Sequence, residues 1–507
     1  MFFKCYSSLV RDCMLVAIPV LLLSACSRPG YNISAIGRPA TISPSYQGTV
    51  IPYNIAPLNF MVCEEGTRFT VRFAVAGRDS FEVTSRGKVS IPVRKWKKLL
   101  HANRGGQLEV SIFSKTVSGW ERYTPLRFTI APEPVDPWLA YRLIEPGYEI
   151  WNQMGIYQRC LETFEEKPIM TNQLTSSRSC MNCHSFCKND PQTMLFHIRK
   201  YHAGTIIVKE GKISKIDTKA PDMVSAGVYP RWHPNGRYVA FSVNTTRQAF
   251  HAAHPNKVEV YDLESDIMVY DTENNIIFTD SLLSSKNYFE TFPEWSPDGQ
   301  YLYFCSAKAR PMPREYDSLR YDFVRIAFDA STQTFGKQLD TIVSSAQTRK
   351  SVALARISPD GQYIVFCMSD YGTFPIWHRD NDLYILNVKT KATADDDPVD
   401  NYHLNLETNT IRNLTEINSE QSDSYHSWSS NGRWMVFGSR RMDGTFTRPY
   451  LCYFDRDGNA HPPFVLPQKD PRHYDFSIKS YNIPEFITGK VMVSPYQFAK
   501  TAKGKAL

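Results

Sequence analysis

Five consecutive residues have the types and spacing for joint chemistry: Cys180-Met181-Asn182-Cys183-His184. Two thiols with two residues between them can add to the two vinyl groups on one porphyrin edge, and the adjacent histidine then reaches the iron. This is the attachment signature of c-type haem, with Cys180 and Cys183 as the thioether positions and His184 as axial ligand. A His or Met in the sixth position favours electron transfer, and an open one favours ligand binding or redox catalysis. Candidates are Met194, His197 and His202 nearby, and His233 and His426 further on. His233 and His426 stand in or beside turns and read as solvent-exposed, whereas His197 sits in a strand-like stretch and reads as a core or channel-lining histidine. The cysteines have alternative uses. Cys160 and Cys187 flank the motif, so Cys160, Cys180, Cys183 and Cys187 form a candidate zinc set or two disulfides.

Other reactive patterns are weaker. The chain has no G-x-S-x-G elbow, H-E-x-x-H or phosphate loop. Asp395-Asp396-Asp397 with Asp400 has the ligand type for Ca²⁺, but an acidic run between strands reads as a solvated loop.

The N-terminus gives an address. Lys4 and Arg11 precede an apolar stretch from Met14 to Leu23 and the small pair Ser24-Ala25, which is the pattern of a secretory signal and too short for a permanent span. Leu23-Ser24-Ala25-Cys26 looks like a bacterial lipobox, with Cys26 lipidated as the mature first residue and acylated stably enough to anchor a soluble domain. Ser27, not Asp, follows the cysteine, which by the rule for bacterial lipoproteins points to the outer membrane, and no acidic tag follows, which points to its periplasmic face. The membrane is then one partner, through Cys26; an envelope protein or a redox partner is another.

Composition narrows the architecture. The 507 residues include 58 Lys and Arg against 51 Asp and Glu, a charge of +7 without long like-charge runs, which does not suit nucleic acid. Aromatic residues at 13% with 25 Gly and 32 Pro suit many short strands joined by turns, not a helical bundle.

Four segments repeat. They are Tyr229-Pro-Arg-Trp-His-Pro-Asn-Gly-Arg-Tyr, Phe292-Pro-Glu-Trp-Ser-Pro-Asp-Gly-Gln-Tyr, Leu354-Ala-Arg-Ile-Ser-Pro-Asp-Gly-Gln-Tyr and Tyr425-His-Ser-Trp-Ser-Ser-Asn-Gly-Arg-Trp, each followed by an alternating strand that runs through a Phe. The Asn-Gly or Asp-Gly pair supplies the positive φ of a tight hairpin, and the Trp fills space between neighbouring sheets. Further strands are expected over 257–261, 267–271, 323–328, 382–388 and 450–454, a degenerate unit over 193–217, and more strands in the tail, 476–498. Upstream, 45–132 alternates with period two as a small β-sandwich-like domain, Pro132–Pro137 reads as a stiff linker, and Leu139-Ala-Tyr-Arg-Leu-Ile as a short helix.

These repeats resemble the WD40-like (PD40) units of TolB-like β-propellers. A C-x-x-C-H motif before such repeats, in an exported chain with an N-terminal β domain, resembles proteins related to the hydrazine synthase alpha subunit, over roughly residues 135–500. The resemblance implies a haem-bearing propeller; a second C-x-x-C-H is missing, so multi-haem chemistry does not carry over.

The expected organisation is a signal over 1–25, an anchor linker over 26–44, the β domain over 45–132, a connecting segment with the motif over 133–192 and a six-bladed propeller over 193–500. The expected function is electron transfer or haem-based redox chemistry in the cell envelope. The alternative is a non-enzymatic propeller scaffold that binds a protein or glycan partner.

Overall fold

The computed structural model describes residues 33–75, 80–146, 152–221, 223–388 and 411–507. Cys26, the expected signal over 1–25 and the acidic run around Asp395 lie outside the described residues. None of the described helices is long and apolar enough to cross a membrane.

Among the described residues from Trp138 onward there are six sheets, five of four strands and one of five. Their innermost strands are Ser480–Ile487, Cys180–Phe186, Val228–Trp232, Tyr288–Trp295, Ser351–Ile357 and Asp423–Trp428, and each packs beside the next until the sixth meets the first. A closed ring of radial sheets is a β-propeller. The blades are numbered here 1 to 6 in the order just given. Blade 1 takes its three outer strands, Trp138–Ile144, Gly155–Cys160 and Glu166–Thr171, from the start of this region and its innermost strand from the C-terminal tail. Hydrogen bonds between Trp138–Ile144 and Ser480–Ile487 thus join the two ends of the ring.

The repeats account for the blade joints. The turn glycines Gly236, Gly299, Gly361 and Gly432 all have φ between 64° and 78°. Gly299 is required twice over, because a Cβ there would lie 2.4 Å from Nε2 of His233. The indole N–H of Trp232, Trp295 and Trp428 donates to the carbonyls of Ser185, Arg231 and Arg356, each on the preceding blade, at 3.3, 3.2 and 3.3 Å. Each Trp thereby fills the wedge between blades and satisfies its polar atom there.

Several expectations are corrected. Leu139–Ile144 is strand, not helix, because neighbouring strands pair with it on both sides. The ring includes Trp138–Thr171 and Cys180–Phe186, which the sequence placed in a connecting segment. The strands expected over 257–261 and 267–271 are one strand, Val258–Asp271, paired along its length with Tyr238–Phe250. The outer half of that pair extends past its blade as an arm. Glu259 at its tip accepts from the Tyr371 hydroxyl and contacts His378 Nε2, both at 2.8 Å, which fixes the arm across to blade 5.

The N-terminal region, from Ile33, is a seven-stranded and a three-stranded sheet with one helix, Val93–Ala102, that the alternation did not suggest. It docks firmly on the ring. Asn59 Nδ2 donates to the carbonyls of Gln468 and Lys469 at 3.2 and 3.0 Å. In the expected linker, Asp136 accepts from the backbone N–H and the hydroxyl of Ser430 at 2.7 and 2.6 Å. This stretch is a clamp between the two regions.

Candidate functional site

The propeller axis is built by one repeated device. Each innermost strand carries a bulge whose residue has positive φ: Cys183 at 54°, Tyr229 at 49°, Phe292 at 53°, Leu354 at 53°, Tyr425 at 47° and Ile483 at 51°. The ladder register shifts at each of these points. A bulge re-aims a side chain, and all six converge on the axis. Cys183-His184-Ser185-Phe186 is therefore a copy of the same four-residue unit as Tyr425-His426-Ser427-Trp428. Ile483-Pro484-Glu485-Phe486 is another. Both copies could have been found by extending the alignment, but neither is followed by the Asp-Gly or Asn-Gly turn that made the other four visible.

The six bulge side chains close the channel at a waist, where a cavity of about 20 Å³ remains beside Cys183 and His184. Cys183 and His184 are each 2% exposed, and neither ring nitrogen of His184 has a hydrogen-bond partner. Burial pushes the His184 imidazole down to about 3, so the ring is neutral. Its unpartnered nitrogens have the character of a ligand. The space does not fit: about 20 Å³ holds a water-sized group, whereas cofactor pockets run to roughly 300–1,000 Å³. The motif is a strand whose second cysteine plugs the axis, and a porphyrin edge has no room beside it.

The other candidates are scattered. His197 is buried with Nδ1 3.0 Å from the Thr205 hydroxyl, and Met194 is in the blade core. His202 is exposed in a turn. His233 and His426 are buried, not solvent-exposed; their Nε2 atoms meet the carbonyls of Gly299 at 3.0 Å and Val365 at 2.7 Å. Each sits where neighbouring blades press together, which a turn motif alone does not reveal. Cys160, Cys180, Cys183 and Cys187 are free thiols, and among the described residues no three His, Cys, Asp or Glu side chains converge as a metal set. The zinc and disulfide alternatives thus have no assembled site there.

On one side of the waist the channel opens into a mouth of about 350 Å³. Its ring consists of the residue two after each bulge: Ser185, Arg231, Glu294, Arg356, Ser427 and Glu485, in order around the axis. The ring is polarised. Glu294 lies 3.0 Å from Arg231 Nε and 3.3 Å from Arg356 Nη1, an arc that is positive overall. Across the axis, Glu485 stands between Ser427 and Ser185 with no cation in contact among the described residues. One of its oxygens accepts from the Phe186 N–H at 3.1 Å; the other, like the Ser185 hydroxyl, is buried without a partner. Burial pushes both carboxyls up, to about 7. Trp232, Trp295 and Trp428 supply apolar walls.

Beyond the waist, burial raises two further carboxyls near the base of the arm, Asp262 to about 7 and Glu290 to about 8. Between pH 6.5 and 8 the unfolded carboxylates are already ionised while these folded ones still hold protons. The buried histidines oppose this at the lower end, because they are neutral in the fold while an unfolded histidine is half-protonated near pH 6.5, so the net fall in stability should appear from about pH 7.5 upward. Glu290 contributes most, because its carboxyl is held highest, at about 8, on the order of 0.7 kcal/mol between pH 7.5 and 8.5. Denaturant midpoints at those two pH values should show the fall, and Glu290→Gln should reduce it; a flat wild-type profile would contradict the assignment.

No family model matches this chain. No curated protein matches it either. Among solved structures it is similar to an oligogalacturonate lyase from Vibrio parahaemolyticus (10% identity, TM-score 0.32, 63% of this chain and 92% of that one). It is also similar to a puromycin-hydrolyzing peptidase of Mycobacterium tuberculosis (10%, 0.36, 86% and 57%) and a DUF4784 family protein from Bacteroides caccae (7%, 0.30, 85% and 97%). At these scores the likenesses carry no argument, and the propeller assignment rests on the closed ring of sheets.

Proposed function

We propose that this chain is a binding propeller of the cell envelope, anchored through Cys26, whose polarised mouth holds a small zwitterion the size of an amino acid or short peptide. The observation that carries this is the unpartnered Glu485 oxygen and Ser185 hydroxyl, both buried, facing the Arg231–Glu294–Arg356 arc across one pocket. A carboxylate suits the guanidinium arc, an ammonium suits Glu485, and the indoles cover an apolar side chain. Buried polar atoms without partners cost about 1–3 kcal/mol each, which a matching ligand recovers.

Calorimetry with free dipeptides, their N-acetyl forms and their C-terminal amides tests the reading. Blocking either end should weaken binding on the order of 10–100-fold, as a lost charged hydrogen bond implies. Glu485→Gln should remove the preference for a free amine, and Arg356→Ala that for a free carboxylate. Binding indifferent to both blocks would sink the zwitterion.

A redox role with haem at Cys180 and Cys183 is the second reading. The unpartnered ring nitrogens of His184 favour it and the closed waist opposes it. It requires the innermost strand of blade 2 to leave the ring, and a visible spectrum decides it.

A further inference from the structure

The channel's far side carries a separate cleft. It has a volume of about 680 Å³ and lies between the arm and blades 2 and 3, divided from the charged mouth by the closed waist. Its floor comes from residues that precede the bulges, including Asn182 and Val228, and from the end of the second strand of blade 2, where His197 and Arg199 stand. Its wall is the arm strand Tyr238–Phe250. Period-two alternation puts Asn244, Thr246 and Gln248 on one face of that strand, and all three line the cleft.

The wall is held before any ligand arrives. Besides the Glu259 contacts, Asn256 at the arm tip donates to the Tyr371 hydroxyl at 3.3 Å and accepts from the Arg379 N–H at 3.3 Å. At its base, Asn244 Nδ2 donates to Asp262 at 3.0 Å and to the Thr291 hydroxyl at 3.3 Å. A preformed wall lowers the ordering cost of binding.

The lining has a definite chemistry. Asn244 presents an unpartnered Oδ1 acceptor, its Nδ2 being held by Asp262 and Thr291, and Asn182 presents Nδ2 donors, its Oδ1 being taken by Arg142 and the Cys183 N–H; Gln248 and Thr246 add further polar groups to the lining. Tyr229 and Phe374 bring aromatic rings into the same cleft. Arg199, Lys200 and Lys219 face it against the single carboxylate of Asp217, so the balance is cationic. Paired donors and acceptors match neighbouring hydroxyls on a ring, aromatic faces cover its C–H surface, and the surplus cations match a carboxylate. We infer that this cleft binds an acidic oligosaccharide, one built from uronic-acid residues, at a site independent of the mouth.

The test uses the full chain and calorimetry with trisaccharides of mannuronate, guluronate, galacturonate and glucuronate, beside mannotriose as a neutral counterpart. At least one acidic trisaccharide should bind at least 10-fold more tightly than mannotriose. The exposed double variant Arg199→Ala/Lys219→Ala should lose that advantage, and Gln248→Ala should weaken binding to a lesser degree, with melting temperatures unchanged. Arg356→Ala, in the mouth, should leave the sugar affinity as it was, so failure here and failure of the mouth reading are separable. Equal affinity for mannotriose overturns the acidic class. Affinity unchanged in the double variant, or lost in Arg356→Ala, overturns the location, and no binding by any acidic trisaccharide overturns the site.

Discussion

A chain ending at residue 479 should fail to fold. The missing piece includes the strand Ser480–Ile487, the innermost strand of blade 1, whose three partners lie more than 300 residues earlier. Three of its apolar side chains, Tyr481, Phe486 and Ile487, are at most 2% exposed. At roughly 1.5–3 kcal/mol for each fully buried side chain their loss removes about 5–9 kcal/mol, comparable with the 5–15 kcal/mol that keeps a typical domain folded. The truncation also uncovers one edge of Trp138–Ile144, in which Leu139, Ala140 and Tyr141 are fully buried, and an unpaired apolar edge invites aggregation. Soluble yield, circular dichroism and protease resistance should all collapse together. Phe486→Ala in the full chain is the graded version, with an expected cost of about 3–5 kcal/mol. A truncated chain that melts like the full one would mean the ring does not close through its tail.

Expressed in cells that mature c-type cytochromes, the protein should be colourless and have the mass of its polypeptide plus any lipid. In the closed ring Cys183 is a waist residue with about 20 Å³ beside it, and haem attachment would require its strand to leave both neighbouring blades. Cys183→Ala should then act as a core truncation, lowering stability by about 1–2 kcal/mol, while the less buried Cys180→Ala should change little. A sharp reduced α-band with one added haem mass, abolished by both substitutions, would overturn the binding reading and restore the redox one.

How much of this was legible follows from where each signal resides. The hairpin turns at Gly236, Gly299, Gly361 and Gly432 could be read directly, because positive φ is a local demand that Asn-Gly and Asp-Gly meet locally. The strands after them could be read for a similar reason, since alternation is a property of adjacent residues. Leu139–Ile144 was misread as helix because six residues do not record the partners that make them a strand. Strand Val258–Asp271 was split because its middle alternates poorly while its partner holds it continuous.

The mouth was not legible at all. Its six ring residues are drawn from positions 185 to 485, and a ring of serines, arginines and glutamates has meaning only once closure sets them face to face. The sequence by itself determined the turns, the repeated units and, as an expectation, the address written in Cys26 and its preceding residues. Only the tertiary structure decided where Cys180–His184 sits: on the innermost strand of a blade. As a pentapeptide it carries two thiols and an imidazole at the spacing of a haem site. As the innermost strand of a blade, Cys183 occupies the same bulge position as Tyr229, Phe292, Leu354, Tyr425 and Ile483 in the other five. The physical reason is that ring closure buries each innermost strand between two neighbours, and burial, not spacing, determines what room a side chain has for chemistry.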